Sequence, residues 1–382
     1  MLDFMDRVQN AFYSAIHWNR DNSYARLNES ARALLDFPTP RGIHLSLSSL
    51  SSPQSATSFS LSSLGPISGS LSYLYSSIPL PVPSTANACL QSDVIEGYRQ
   101  LQELVPPRNK EEAEREREVW LGGERIDQKE ALLYGRMYLP RGVLEGLWMR
   151  RVDETSVGVV KGVSGAGRGD GGTLLAMLQQ DVGKWSMEYM YSSDVALLGW
   201  RGLYNFGRDP RTHPDPPELP PDKPVGRFSA GAELYYGVLN KSAGMSTGLR
   251  YTTLPKHPGI PLTMTVTLNP LMGHISATYA VRAGESAAFA SRFEFNIYSY
   301  ESDVVVGCEL WSRKSPESSK RKDLSFLGSA RLSQKGQLGL LWEGRIKELL
   351  FSVGGTVDFR ETGRMGGGRL VKKVGLEVQY SS

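Results

Sequence analysis

The sequence predicts an all-β transmembrane barrel of about nineteen strands, preceded by a helical segment at the N-terminus. Three observations carry this. Apolar and polar side chains alternate through most of the chain from residue 41 onward, the alternating runs are long, and no window of about 18 or more uncharged apolar residues exists. A strand places successive side chains on opposite faces, so each run has one apolar and one polar face. Soluble strands usually stop at about five or six residues, whereas a strand crossing a bilayer needs about nine to eleven. Without a candidate transmembrane helix, a closed barrel is the remaining way to span a membrane. The mean hydropathy of −0.30 is no objection, because only every second residue of a barrel strand meets lipid.

The chain opens as an amphipathic helix: Leu2, Met5, Val8, Phe12 and Ile16 recur at three- or four-residue steps on one face. Such a helix packs on a core, lies at a membrane interface or sits within a barrel lumen, and the residues alone leave these open. Asp3 and Asp6, with Arg7 as the first base, argue against a secretory signal or a mitochondrial presequence. The expected division is a helical segment over 1–40, inside or beside the lumen, and a barrel over 41–382.

From residue 41 the period becomes two. Ile43, Leu45 and Leu47 alternate with His44, Ser46 and Ser48; Leu262, Met264, Val266 and Leu268 alternate with Thr263, Thr265 and Thr267; Leu349, Phe351, Val353, Gly355 and Val357 are separated by Leu350, Ser352, Gly354 and Thr356. The polar faces, small and carrying charges such as Arg292, Glu294, Glu343 and Arg345, suit a watery lumen. Trp148, Tyr191, Trp200, Tyr251, Tyr279, Phe359 and Tyr380 are expected near run ends, as interfacial girdles. Long loops are expected near 80–130, 207–226 and 312–324. They hold a charged run at 106–118 that reads as a short solvated helix, a Pro-rich stretch at 208–224 that cannot be a central strand, and a basic stretch at 313–323. Residues 161–172 form a further, Gly-rich break.

Composition narrows the function. Lys plus Arg is 43 against 40 Asp plus Glu, a balance that gives no reason to propose nucleic acid as a partner. Cys89 and Cys308, far apart in sequence, could pair but are no disulfide framework and read as two free thiols, and no C-x-x-C or His/Cys cluster suggests a metal. The Gly-rich stretch lacks the Lys-Ser/Thr ending of a phosphate-binding loop and the helix-with-acid of a dinucleotide fold, and Arg168-Gly169-Asp170 reads as a chance tripeptide. No G-x-S-x-G or H-E-x-x-H occurs. The expectation is a protein that is not an enzyme and carries no cofactor.

Two aromatic groups have two readings each. Tyr73 and Tyr75 share one face of a run near Pro79; Phe293, Phe295 and Ile297 share a face that alternates with Tyr298 and Tyr300 before Glu301 and Asp303. Aromatics serve as membrane girdles and as interface anchors. Under the second reading Tyr73, Tyr75, Phe295, Tyr298 and Tyr300 are candidate partner contacts. In the last run, Lys373, Gly375, Val378 and Tyr380 resemble the sorting signal of mitochondrial outer-membrane barrels: polar, any, Gly, two of any, hydrophobic, any, hydrophobic. Its logic is β-augmentation, in which the final strand pairs with an open sheet edge of the insertion machine, and glycine permits close backbone approach.

The opening carries a more specific likeness. Met1-Leu2-Asp3-Phe4-Met5, Trp18-Asn19-Arg20-Asp21-Asn22-Ser23-Tyr24, Leu35-Asp36-Phe37-Pro38-Thr39-Pro40-Arg41-Gly42, Gly69-Ser70-Leu71-Ser72-Tyr73-Leu74-Tyr75 and the closing run resemble the fungal mitochondrial distribution and morphology barrel family, across essentially the whole chain. The sequence is short for that family, with 313–323 as the place of a shorter loop. The resemblance implies a barrel of nineteen strands like that of porin and the voltage-dependent anion channel, in the mitochondrial outer membrane at contact sites with the endoplasmic reticulum. It implies a docking role in the ER–mitochondria encounter structure (ERMES), supporting phospholipid exchange and mitochondrial morphology. It also implies a role with the sorting and assembly machinery in maturing barrels and the import translocase. Expected partners are the other ERMES subunits, sorting and assembly machinery subunits, import translocase components and membrane lipids. The alternative function is a metabolite or ion channel of the mitochondrial porin type.

Overall fold

A sheet built from long alternating strands has unpaired edges, and closing on itself removes both. This chain does so in the computed structural model, which describes residues 2–63, 67–81, 95, 97–101, 104, 118–121, 124–127, 129–165, 171–207, 226–255, 259–284, 286–314, 323–346, 348–359 and 371–381. The strands are β1 (Gly42–Ser52), β2 (Ser55–Ser62), β3 (Ser68–Ser76), β4 (Glu118–Leu121), β5 (Glu124–Asp127), β6 (Ala131–Leu139), β7 (Val143–Asp153), β8 (Ser156–Val163), β9 (Thr173–Asp181), β10 (Trp185–Ser192) and β11 (Leu197–Phe206). They continue as β12 (Gly226–Gly237), β13 (Ser242–Thr253), β14 (Leu262–Asn269), β15 (His274–Ala283), β16 (Ala287–Asn296), β17 (Ser302–Lys314), β18 (Asp323–Ser333), β19 (Gln337–Ile346), β20 (Leu349–Asp358) and β21 (Val371–Ser381).

Nineteen of these form one closed sheet, while β4 and β5 pair only with each other. Chain neighbours in the sheet pair antiparallel, and β3 pairs β6 across the long connection. With an odd number of alternating strands, the first and last must run the same way. β1 accordingly closes on β21 in parallel, from Gly42 opposite Gly375 to Ser48 opposite Ser381.

The two faces separate as the alternation requires. Leu47, Leu71, Leu133, Leu198, Val266, Val306 and Leu340 project outward and are exposed, while Ser48, Ser70, Ser229, Thr265 and Ser329 point inward and are buried. An apolar surface continuing around the whole sheet is the lipid-facing band of a barrel. No helix of the described residues is long and apolar enough to cross a membrane. Helix α1 (Phe4–Ala15), a single 3₁₀ turn (Tyr24–Arg26) and helix α2 (Glu29–Leu35) precede β1.

Several local expectations change. Tyr191, Tyr251 and Tyr380 stand close to strand ends and Phe359 directly follows β20, but Trp148, Trp200 and Tyr279 fall mid-strand. Outward rings also cover gaps: a Cβ on Gly202 would lie 2.9 Å from the Trp200 ring. Strands reach into the expected loops, since Gly226 opens β12, Arg313 and Lys314 end β17, and Asp323 opens β18. Glu118 of the charged run opens β4, a strand rather than a helix. The rest of that run, the Pro-rich stretch 208–224, residues 315–322, Cys89 and Arg168-Gly169-Asp170 lie outside the described residues.

Candidate functional site

Residues of the N-terminus line the inside of the barrel and supply most of what is docked there. The apolar stripe of α1 docks on an apolar stretch of the inner wall. Met5, Val8, Phe12 and Ile16 are at most 1% exposed and pack against Ala56 of β2, Leu74 of β3, Leu132 of β6, Leu147 and Met149 of β7, and Val157 and Val159 of β8. These wall residues alternate with the exposed Tyr73, Tyr75, Leu133 and Trp148, which fixes α1 on the lumen side. The Arg151 guanidinium donates to the Ile16 carbonyl at the helix C-terminus, at 2.5 Å. Such a contact complements the negative end of the helix dipole.

Beyond α1 the docking becomes polar. The Asn22 amide donates to Asp181 Oδ1 at 2.6 Å and to the Gly183 carbonyl at 2.9 Å, and its oxygen accepts from Asn205 Nδ2 at 2.7 Å. Ser229 Oγ extends the network to Asn205 Oδ1 at 2.7 Å. Ser23 Oγ donates to Glu188 at 2.8 Å, and Glu188 also pairs with Arg201, itself paired with Glu233. The Tyr24 hydroxyl meets Ser246 Oγ at 2.7 Å. Arg20 stacks on the Tyr13 ring at 4.5 Å; burial and the Arg26 charge pull its guanidinium down to about 10, so it stays protonated at neutral pH. Fully buried Arg250 reaches only the Arg26 carbonyl, at 3.5 Å, and its Nε and Nη2 find no hydrogen-bond partner among the described residues.

Helix α2 completes the circuit against β15 to β18. Ala31, Leu34 and Leu35 pack on Ala280, Ala288, Ala290 and Val305. Arg292 pairs with Asp36 at 2.7 Å, and Arg331 donates to the Leu35 carbonyl at 3.0 Å. A second segment enters here: Tyr98 joins the α2 cluster, its N–H donates to Glu309 at 3.0 Å, and Ser30 Oγ donates to the Arg99 carbonyl at 2.9 Å. Part of the connection expected as a long loop near 80–130 therefore lies within the barrel. None of Asn22, Ser23, Tyr24, Asp36 or Tyr98 was singled out by the alternation pattern. The usable signal was the run of polar residues joining two amphipathic helices, which an external helix would not need.

The sorting-signal residues divide between the two faces of β21. Lys373 and Gly375 point inward, and Val378 and Tyr380 point outward, Tyr380 between Leu47 of β1 and Leu349 of β20. Gln379, on the inner face, donates to Glu377 at 2.8 Å.

The candidate partner contacts fall into two places. Tyr73 and Tyr75 stand on the outer face at the C-terminal end of β3, flanked by Thr57 and Ser55 of β2 and by Gly135 and Leu133 of β6. Phe295 lies near the C-terminal end of β16, but Tyr298 and Tyr300 are not on the alternate face of that strand. They occupy the hairpin turn after it, at 68% and 80% exposure. The Tyr298 hydroxyl donates to the Pro270 carbonyl at 3.2 Å, and the Ile297 N–H donates to the Gly273 carbonyl at 2.7 Å, bracing this turn on the β14–β15 turn. An odd number of antiparallel pairings separates β3 from β16, so the two aromatic groups lie at opposite rims. Among the described residues, no group of three or more His, Cys, Asp or Glu side chains is placed to hold a metal ion.

The comparisons with known proteins agree with this geometry. The family described as "Mitochondrial distribution and morphology protein 10" matches residues 1–326 and 325–382. Proteins of that description from Phaeosphaeria nodorum, Sclerotinia sclerotiorum and Yarrowia lipolytica are 53%, 49% and 41% identical, each over 100% of this chain and 100% of its own length. That description ties its members to mitochondrial distribution and morphology, and with the barrel fold it points to a mitochondrial membrane. The chain belongs to the mitochondrial distribution and morphology protein 10 family.

Proposed function

We propose that the protein is a docking subunit of the mitochondrial outer membrane, a member of the ER–mitochondria tethering complex. In this reading it supports phospholipid exchange at contact sites and works with the sorting and assembly machinery on barrel and import-translocase assembly. The observation that carries the reading is a barrel whose lumen holds its own N-terminal segment while exposed aromatic groups stand at both rims. Large aromatic side chains on a rigid scaffold are favoured interface anchors, and opposite rims allow two partner sets to be engaged by one barrel.

Co-purification of the tagged chain from mitochondria solubilised in mild detergent tests this. The native chain is expected to bring down tethering subunits and sorting-machinery subunits. Replacing Tyr73 and Tyr75 by Ala should deplete one set, and replacing Tyr298 and Tyr300 by Ala the other. Recovery of neither set with the native chain would overturn the docking role, and retention of both sets by both variants would overturn the assignment to the rims.

A further inference from the structure

The N-terminal connector crosses the inside of the sheet where the sheet closes. Gly375 of β21 is the direct register partner of Gly354 in β20 and stands opposite Gly42, the first residue of β1. A Cβ on Gly375 would lie 2.6 Å from both the C and O atoms of Pro40 and 2.7 Å from the N of Arg41. On Gly354 a Cβ would lie 2.9 Å from Leu341 Cδ1 and 3.0 Å from the Pro40 ring at Cδ. The contacting atoms at Gly375 are backbone, so no side-chain rotation relieves the overlap. Elsewhere in the lumen Tyr24 and Leu27 side-chain atoms cover the register partners Gly231 and Gly248, and the Leu34 carbonyl oxygen lies 2.9 Å from where a Cβ on Gly307 would stand.

We propose that Gly375, with Gly354 beside it under the Pro40 ring, forms a seat for the Pro40–Arg41 segment, and that the seated connector braces the parallel β1–β21 seam. On this account the glycine of the sorting-like segment is required by the finished barrel itself, whatever an insertion machine reads in the same strand. Glycine weakens a strand interior unless a close backbone approach needs it, and the approach is present here. The brace also falls where it matters, because β1–β21 is the only parallel pairing of the described sheet and parallel pairs are slightly less stable per residue. Docking of α1 and α2 in the lumen and closure of the seam are then coupled through the connector that joins them.

The test uses the full-length chain refolded in detergent micelles, where no insertion machinery is present. Gly375→Ala and Gly354→Ala should each lower the folded fraction and reduce Tm, on the order of 5 °C for Gly375→Ala. Gly328→Ala is the reference, since a Cβ there would meet nothing within 4 Å, and it should behave as the native chain. A second background carries Gly-Ser-Gly-Ser inserted between Pro40 and Arg41, which lets the connector step off the seam. In that background the effect of Gly375→Ala should fall to the Gly328→Ala level, the non-additivity expected of groups in contact. Native-like folding of Gly375→Ala in micelles would overturn the proposal, as would an equal loss with and without the inserted residues.

Discussion

Two stretches of the lumen wall hold the same N-terminal segment by different physics. Along β2 to β8 the wall carries an apolar stretch and α1 is attached mainly by packing, with Phe12 and Met5 sealed against Leu74, Leu132 and Met149. Along β9 to β13 the wall is polar and the segment is attached through Asn22, Ser23 and Tyr24 to Asp181, Asn205, Glu188 and Ser246. Packing is insensitive to salt and proceeds by area, whereas hydrogen bonds fix one register and become costly when a buried partner is left unpaired. One stretch therefore supplies adhesion, and the other dictates where the segment sits.

The largest effect should come from breaking the apolar stretch. Phe12→Asp forfeits about 3–5 kcal/mol of packing and places a charge against an apolar wall. We expect α1 to leave the wall and the N-terminus to become the first site of protease cleavage. Cleavage as slow as in the native chain would show that the polar stretch alone retains the segment. Next in size is a charge on the outer face of the same sheet: Val266→Arg should cost about 2–4 kcal/mol if it sits near the bilayer midplane, read as reduced thermal stability in lipid nanodiscs. Thr265, directly beside it, is buried on the inner face and meets Thr278, so Thr265→Ser keeps the hydroxyl and should be close to neutral. Equal losses at the two positions would contradict the assignment of faces.

The polar stretch should respond more modestly. Asn22→Ala removes its hydrogen bonds to Asp181 and Asn205, which keep only their contacts with Gly183 and Ser229 in this network, and should cost about 1–3 kcal/mol, seen as faster hydrogen exchange over residues 19–26 with α1 still protected. If protection of α1 is lost as well, the two stretches are one cooperative unit. The smallest change is expected at the rim of the circuit. Arg292–Asp36 is partly exposed, so Asp36→Ala should cost less than about 1 kcal/mol and lose that effect in high salt. A large, salt-independent loss would place this pair among the principal holds.

Much of the barrel was legible because a membrane strand advertises both faces at once. Leu262 to Leu268 alternate without a break, and the structure puts Met264, Val266 and Leu268 outside and Thr263 and Thr265 inside. The covered part of the lumen was harder to read. In β6 to β8, Leu132 beside Leu133, Trp148 beside Met149 and Val159 beside Val160 make both faces apolar, which blurs the alternation; the inward members serve α1. Tyr298 and Tyr300 were misplaced for a related reason. Alternation continues on paper past Asn296, but Tyr300 has a φ of +55°, and the chain turns there instead of extending. That turn conformation is unusual for a bulky residue, and the sequence pattern carries no mark of it. Gly375 was found for one reason, as part of a sorting-like pattern, and the structure adds another: the backbone of Pro40 rests on it. A contact between residues so far apart in the chain leaves no periodic trace.

The central claim is that this barrel keeps its N-terminal segment docked within the lumen. Planar-bilayer recording of the purified full-length chain, without partners, tests it most directly. The account predicts a steady conductance for the native chain and an altered, unsteady one for Phe12→Asp, whose α1 no longer holds to the wall. A conductance of the same size and steadiness in the native chain and in Phe12→Asp would contradict it.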